Sequence, residues 1–190
     1  MKIRFAKIED IGVIAQLKYN HWMMYRGMIS DEFLDGLSID KIKSEIKLLI
    51  GFQGFSSELI NLANHIIISE ILLDAPQIIV LETNDCEIIG FCMFGCRAEV
   101  ITDISEDYDY QLHEIYIAPE HQKQGHGKIL VDFVFTNAKE RGKKKVLVCT
   151  HPDNKQAIEF YQNIGGKVIG ENEVEFSGKP SMQIVLGFEL

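Results

Sequence analysis

Hydrophobic and polar residues alternate along this chain in patterns that divide it into short strands and longer helices. Short runs rich in β-branched, aromatic and other apolar residues predict seven strands, at Lys2–Phe5, Gln77–Leu81, Glu87–Cys96, Leu112–Ile117, Lys145–Thr150, Lys167–Val174 and Met182–Phe188. Hydrophobic residues three and four apart predict three helices capped by Glu9 or Asp10, by Ser30, and by Ser38 or Asp40, and further helices that begin near Ser57, Gly125 and Lys155. The predicted order of elements is β-α-α-(α)-β-β-β-α-β-α-β-β.

Two parts of this order indicate how the strands pair. The strand–helix–strand stretch from 112 to 150 predicts a parallel β-α-β crossover, because a helical connection returns the chain in the direction of the strand it left. Two pairs of strands are joined by polar turns, Asn84-Asp85 and Ser177-Gly178-Lys179-Pro180, and these pairs are expected to be antiparallel. The pattern predicts an α/β fold with both kinds of pairing.

Length and charge narrow the class of protein. The chain has 190 residues, of which 46% are hydrophobic, and it predicts one domain over residues 1–190. Because no apolar run is long enough for a membrane span and no hydrophobic leader is present, the expected location is the cytoplasm. A net charge of -9 disfavours nucleic acid as a partner and is compatible with a cationic substrate.

Two stretches carry no motif. Residues 97–110 are polar and acidic, which favours a solvated hairpin extension or, alternatively, a surface that attracts a cationic acceptor. An insertion at 49–75 contains the helical spacing of residues 57–74, and it is expected to cover the core, form a dimer face or close an acceptor pocket.

A glycine-punctuated loop lies between the strand that ends at Ile117 and the helix that follows it. The loop reads Gln-Lys-Gln-Gly-His-Gly over residues 122–127. Unpaired N–H groups and the dipole at the start of a helix attract anions, and glycines let a phosphate approach the backbone. The loop lacks the Gly-Lys-Ser/Thr of a Walker motif and the third glycine of a dinucleotide fingerprint. It predicts a phosphate seat, with a strand-to-helix turn that binds nothing as the alternative.

The loop resembles the Gln/Arg-x-x-Gly-x-Gly/Ala motif of the GNAT superfamily of acetyl-CoA-dependent N-acetyltransferases, in its bacterial type. A second stretch, residues 154–165, resembles that family's N-x-x-A-x-x-F/L-Y-x-x-x-G motif, although Gly166 stands where an aromatic residue is usual. The resemblance implies a mixed, mostly antiparallel sheet of six to seven strands flanked by helices. It also implies that acetyl-CoA is bound by one set of residues: Ile115, Tyr116, Ile117, Gln122, Lys123, Gln124, Gly125, His126, Gly127, Lys128 and Asn154.

The same resemblance implies which residues carry the chemistry. Glu114, just before the strand segment 115–117, is the candidate base that takes the proton of an amine. Tyr161 is the candidate acid that protonates the leaving thiolate. Backbone N–H groups of residues 115–117 would polarise the thioester carbonyl. Transfer is expected to be direct in a ternary complex. No metal is expected, because no metal motif is present, and no covalent acyl-cysteine is expected, because no cysteine lies where the family would place one.

The acceptor is the least determined part of this interpretation. The stretch Trp-x-x-x-Tyr-Arg-Gly resembles an acceptor wall in some bacterial members of the family, which makes Tyr25, Arg26 and Met28 candidate substrate contacts. The favoured function is acetylation of a primary amine on a small or polyamine-like molecule. The alternatives are a protein N-terminus or lysine as the acceptor, and a sensor that binds acetyl-CoA without turnover. The closing strands could pair across a homodimer.

Overall fold

The computed structural model describes residues 1–53, 75–97, 101 and 104–190. The strands are β1 (Lys2–Phe5), β2 (Gln77–Glu82), β3 (Ile88–Cys96), β4 (Tyr110–Ile117), β5 (Lys145–Thr150), β6 (Lys167–Phe176) and β7 (Lys179–Glu189). The α-helices are α1 (Ile11–Met23), α2 (Asp31–Asp35), α3 (Ile39–Gln53), α4 (His126–Glu140) and α5 (Lys155–Asn163). Residues 54–74 of the predicted insertion, which include all of its predicted helix at 57–74, lie outside the described residues.

All of these strands belong to one sheet in the order β1-β2-β3-β4-β5-β7-β6. Every neighbouring pair is antiparallel except β4 and β5, which are parallel and are joined through α4. This arrangement confirms the predicted mixed, mostly antiparallel sheet with a β-α-β crossover. Within the described ranges, no helix is long and apolar enough to span a membrane.

Alternation along the strands distributes hydrophobic side chains to both faces of the sheet. In β2, Ile79 and Leu81 belong to a cluster with α4 and α5, whereas Ile78 and Val80 belong to a cluster with α1 and α3. Because all four residues are at most 2% exposed, this strand is covered on both sides by helices. The central strands are therefore fixed from both faces, and the ends of β4 and β5 are held in defined positions.

A network of charges holds the chain at the entrance to α1. Arg4 contacts Asp10 and Glu82 through nitrogen–oxygen distances of 2.6 Å each. Burial by itself would raise the pKa of Asp10, but hydrogen bonds from Arg4 and from the Lys7 backbone N–H outweigh it and lower that pKa. Asp10 therefore does not cap α1 through its side chain as the sequence predicted; it joins the start of that helix to the sheet.

The closing hairpin is longer than the sequence predicted. Its turn contains only Ser177 and Gly178, both with positive φ values (50° and 75°), as two-residue hairpin turns require. Pro180 lies in β7 opposite Glu175, in the part of β7 that precedes its pairing with β5 at Ile184. A proline is tolerated there because its missing N–H is not needed by a second neighbouring strand. The hairpin extends as a two-stranded ribbon beyond the rest of the sheet.

The polar stretch before β4 does not form the solvated extension that the sequence predicted. Ile101, Ile104 and Tyr108 are buried and pack with Leu147 and Val185. An ideal Cβ built on Gly187 would lie only 2.6 Å from the Tyr108 ring. The ring can pack against the sheet because position 187 has no side chain. The acidic residues of the stretch obscured these three hydrophobic positions in the sequence.

Candidate active site

The two parallel strands separate within the sheet. Pairing of β4 with β5 covers three residue pairs and ends at Leu112 opposite Val148. On the other side of β4, Met93 pairs with Glu114 and Phe94 with Leu112, which makes His113 the extra residue of a β-bulge. A bulge redirects side chains, and here it lies at the first residue beyond the parallel pairing.

A cavity of about 100 Å³ lies at this point of separation. Its wall combines residues from the end of α1 and the following loop, from the diverging strands, and from the β6–β7 ribbon. These residues are His21, Trp22, Tyr25, Ile29, His113, Glu114, Cys149, Thr150, His151, Phe176 and Gln183. The aromatic rings of Trp22, Tyr25 and Phe176 share this wall with polar side chains, and Glu114 is a carboxylate among them, so the cavity can receive a polar group such as an amine.

Glu114 is held by a cation from α1. The ammonium of Lys18 lies 2.8 Å from Glu114 Oε1, and the two side chains are 12% and 11% exposed. Lys18 interrupts the hydrophobic stripe of α1 in the sequence, and its partner lies 96 residues further along the chain. A lysine inside a hydrophobic stripe marks position 18 as unusual in the sequence. The sequence does not show that its partner is Glu114.

Two histidines beside Glu114 are neutral at pH 7. Burial lowers the pKa of His21 and the pKa of His113, and it outweighs the attraction of the Glu114 charge in both cases. The ring of His21 lies 5.4 Å from the ring of Tyr116 and 5.5 Å from that of Tyr25. Sequence reasoning assigned neither histidine a role, because a single histidine without a motif carries little information.

Tyr161, on α5, is buried in the hydrophobic cluster that α4 and α5 form with the sheet. Burial, followed by the proximity of Tyr25, Cys92 and Cys149, raises the pKa of Tyr161 well above its usual value. Its phenol is therefore protonated at neutral pH and can act as a proton donor. Tyr25 and Cys149 line the cavity, whereas Tyr161 itself is not among the lining residues.

The glycine loop leads directly into α4. Gly125 has a φ of +83° and precedes the first helical residue, His126, while Lys123 has a φ of +57°. Two side chains fold back onto the loop's own backbone. Gln122 donates to the carbonyl of Ile117 at 2.8 Å, and His126 Nδ1 lies 2.9 Å from the carbonyl of His121. These bonds fix the loop and leave the outward N–H groups of the first helical turn to face solvent or a ligand.

The loop and α5, which carry the two motifs, are in contact. Gln156 of α5 donates to the side-chain oxygen of Gln122, and an ideal Cβ on Gly127 would lie 3.3 Å from the ring of Phe160. Asn154 begins α5 with its side-chain oxygen on the N–H of Ala157. Glycine at position 127 therefore lets the start of α4 approach α5 closely.

Packing explains why glycine stands at position 166, where the family motif usually has an aromatic residue. A Cβ at this position would lie 2.8 Å from the ring of Phe188 and 2.8 Å from the carbonyl of Tyr161. Phe188, from β7, occupies the space that a side chain at position 166 would need. The aromatic ring at this place is therefore that of Phe188 in β7, and not a side chain at position 166.

The three candidate acceptor contacts have different surroundings. Tyr25 lines the cavity, and its hydroxyl accepts a hydrogen bond from Asn154 at 3.1 Å. Arg26 instead forms exposed ion pairs with Asp31 and Asp35. Met28 is not among the residues that line the cavity. Tyr25 therefore joins the cavity to α5, whereas Arg26 holds the loop to α2.

The remaining predicted cofactor contacts are on the surface of the loop and along β4. Lys128 pairs with Asp132 one helical turn later, at 2.7 Å. Gln124 donates to the carbonyl of Glu120. Ile115, Tyr116 and Ile117 pair with β3 on one side, while the side toward β5 is beyond the end of the parallel pairing. Among the described residues, no group of three or more His, Cys, Asp or Glu is placed to hold a metal ion.

Comparison with known proteins gives consistent similarities. The chain matches the acetyltransferase (GNAT) family over residues 51–165, a range that includes the glycine loop and α5. It is 25% identical to an uncharacterised N-acetyltransferase, YuaI, of Bacillus subtilis over 188 residues, which are 98% of this chain and 91% of that protein. It is 32% identical to the uncharacterised N-acetyltransferase MJ1207 of Methanocaldococcus jannaschii over 84 residues, which are 42% of this chain and 36% of that protein.

The fold is similar to that of a PaiA N-acetyltransferase from Thermoplasma acidophilum, whose crystal structure is a complex with coenzyme A. The TM-score is 0.66 and the sequence identity 21%, and the match covers 100% of this chain and 98% of that one.

Proposed function

This chain belongs to the acetyltransferase (GNAT) family and is an N-acetyltransferase, and from that premise we propose which substrates and residues it uses. It transfers an acetyl group from acetyl-CoA to the primary amine of a small or polyamine-like molecule, in a ternary complex. The observation that carries this proposal is the cavity lined by aromatic rings and Glu114 where β4 and β5 separate. Its small volume favours a small molecule over a folded protein as the acceptor.

Acetyl-CoA binds on the side of the glycine loop. The pyrophosphate is received by the N–H groups at the start of α4, with Lys123 and Lys128 as nearby positive charges. An ideal Cβ at Gly125 would meet no atom within 4 Å, so the space in front of this residue is open to a phosphate. Asn154, at the start of α5, is within hydrogen-bond distance of Tyr25 and thus lies between the loop and the cavity.

The acceptor must lose a proton before it can attack. An alkylamine with a pKa of about 10.4 is neutral in only about one molecule in 10³ at pH 7, which costs about 4 kcal/mol. Glu114 faces the cavity and takes this proton, while Lys18 keeps the carboxylate in position. This assignment gives a role to both members of the Lys18–Glu114 ion pair.

The transfer itself exchanges one bond for another. The neutral amine forms a C–N bond with the thioester carbonyl, whose oxygen is polarised by backbone N–H groups of residues 115–117 on the open side of β4. The C–S bond then breaks, and Tyr161 gives its proton to the leaving thiolate. Cys149 lines the cavity, but the direct route requires no acetyl group on its thiol.

Replacing Tyr161 with phenylalanine tests this function against the sensor alternative. We expect kcat to fall about tenfold, because a thiolate is a fair leaving group and the acid helps without being indispensable. Steady-state kinetics and calorimetric titration with acetyl-CoA measure the two effects, and the dissociation constant for acetyl-CoA should stay unchanged.

Tyr110→Phe is the matched control for this variant. Tyr110 is also a buried tyrosine, and its hydroxyl donates to Asn137 at 2.7 Å, away from the cavity. Its removal should lower stability by about 1 kcal/mol and leave kcat unchanged. A wild-type protein that binds acetyl-CoA tightly but consumes none with any primary amine would instead support the sensor function.

A further inference from the structure

The backbone carbonyl groups that lead into the glycine loop are all hydrogen-bonded within the loop itself. The five successive carbonyl oxygens of residues 117–121 each accept one bond. Their donors are, in order, the Gln122 side chain, the backbone N–H groups of His121 and Gln122, the Gln124 side chain and the His126 ring. Because a carbonyl oxygen carries partial negative charge, an oxygen held by a donor of its own loop repels an anion in front of α4 less than a free one does.

The last of these five bonds is made by a buried side chain. Nδ1 of His126 lies 2.9 Å from the His121 carbonyl oxygen, and His126 is 8% exposed. A carbonyl oxygen can only accept, so Nδ1 carries the proton of this bond. The Gln124 bond is exposed, so water can replace it, whereas the buried His126 ring leaves little access for water.

The same bond closes a strained segment of backbone. Lys123 has a φ of +57° and Gly125 a φ of +83°, so the chain enters the left-handed region twice between His121 and His126. A residue with a side chain keeps this conformation only where its surroundings hold it, because the conformation costs free energy. The bond joins the two ends of the segment and therefore opposes its relaxation.

We propose that His126 is a positioning residue for acetyl-CoA, which acts through the His121 carbonyl and not through a contact of its own ring with the cofactor. The proposal rests on the proposed function, in which the start of α4 receives the pyrophosphate. Without the bond, the His121 carbonyl oxygen is free to turn toward the pyrophosphate, which it repels. The affinity that depends on His126 is therefore the part that the pyrophosphate contributes.

Two ligands that differ in the pyrophosphate test this role. Acetyl-CoA carries it, whereas S-acetylpantetheine has the same thioester and ends before the phosphates. Titration followed by the ¹⁵N amide resonances of the protein measures both tight and weak binding.

Three variants separate the bond from the ring. His126→Leu removes the donor and keeps an apolar side chain of similar size, whereas His126→Asn places an amide nitrogen where Nδ1 stands. His121→Leu is the matched control, because it removes a histidine ring from the same loop while the bonded group of His121 is its backbone carbonyl.

We expect His126→Leu to bind acetyl-CoA about tenfold more weakly than the wild type, and to bind S-acetylpantetheine with unchanged affinity. His126→Asn should restore the affinity for acetyl-CoA to within about twofold of the wild type, because the donor is present again. His121→Leu should bind both ligands as the wild type does.

Three results would overturn the role of His126. They are wild-type affinity of His126→Leu for acetyl-CoA, an equal loss in His126→Asn or His121→Leu, and an equal loss for both ligands. A wild-type protein that binds acetyl-CoA no more tightly than S-acetylpantetheine would instead show that the loop receives no pyrophosphate. That result contradicts the proposed cofactor site itself, so the two failures are distinguishable.

Discussion

Replacing Gly125 with glutamate is expected to weaken acetyl-CoA binding at least about a hundredfold, because like charges brought together cost several kcal/mol. The new carboxylate would stand at the N-terminus of α4, where the outward N–H groups and the helix dipole favour an anion of the ligand. A Cβ at this position points into open space, so the side chain can occupy the proposed phosphate seat without displacing other atoms. Calorimetric titration with acetyl-CoA measures the effect.

Gly142→Glu is the matched control for this variant. Gly142 follows the other end of α4, has a similar φ of +74°, and a Cβ there would also meet no atom within 4 Å. The control therefore carries the same backbone strain and the same added charge. Equal loss of binding in both variants would mean that the loss comes from strain or net charge, and the loop would then be only a structural turn.

Replacing Glu114 with glutamine should lower kcat by about 10² to 10⁴, the usual contribution of general acid–base catalysis. Glutamine keeps an oxygen for Lys18 and occupies the same volume, so the wall of the cavity is preserved. The KM for acetyl-CoA should stay unchanged, because Glu114 faces the acceptor side. Steady-state kinetics with a primary amine, at saturating acetyl-CoA, measures the loss.

Glu82→Gln provides the comparison for Glu114→Gln. Glu82 is 13% exposed and pairs with Arg4 at 2.6 Å, so it matches Glu114 in burial and pairing, but it is not among the residues that line the cavity. Its replacement should affect stability and spare kcat. Unchanged kcat in Glu114→Gln would show that another group receives the amine proton.

The sequence predicted the sheet well because its strands are covered on both faces. Nearly continuous hydrophobic runs, as in Gln77–Glu82 and Lys145–Thr150, leave few other structures for those residues. The glycine loop and α5 were also found from the sequence, because local backbone chemistry determines both. The family that these two motifs suggested is confirmed by the match over residues 51–165.

The cavity between β4 and β5 could not be predicted in the same way. It depends on contacts between distant parts of the chain, such as Lys18 with Glu114 and Asn154 with Tyr25. The bulge at His113 arises from a register shift between β3 and β4, and no turn residue marks it in the sequence. Local patterns contain no information on such pairings, so only the fold shows that His113 and Thr150 line this cavity.

The length of the β6–β7 ribbon is a second feature that the local sequence pattern did not show. Phe176 contributes to the cavity wall and packs against Trp22 and Phe33, with ring centroids 5.9 and 4.9 Å apart. The sequence ended the strand before this residue, at Val174, because the following Ser-Gly-Lys-Pro is typical of a long turn. The two-residue turn that actually forms extends the ribbon and brings Phe176 to the acceptor side.

The most direct test of acetyl transfer is mass analysis of a reaction containing the protein, acetyl-CoA and a pool of small primary amines. We expect free coenzyme A to accumulate together with one or more amines that have gained an acetyl group, while the protein itself gains none, Cys149 included. Coenzyme A without an acetylated amine, or acetyl retained on the protein, would contradict direct transfer to a small primary amine.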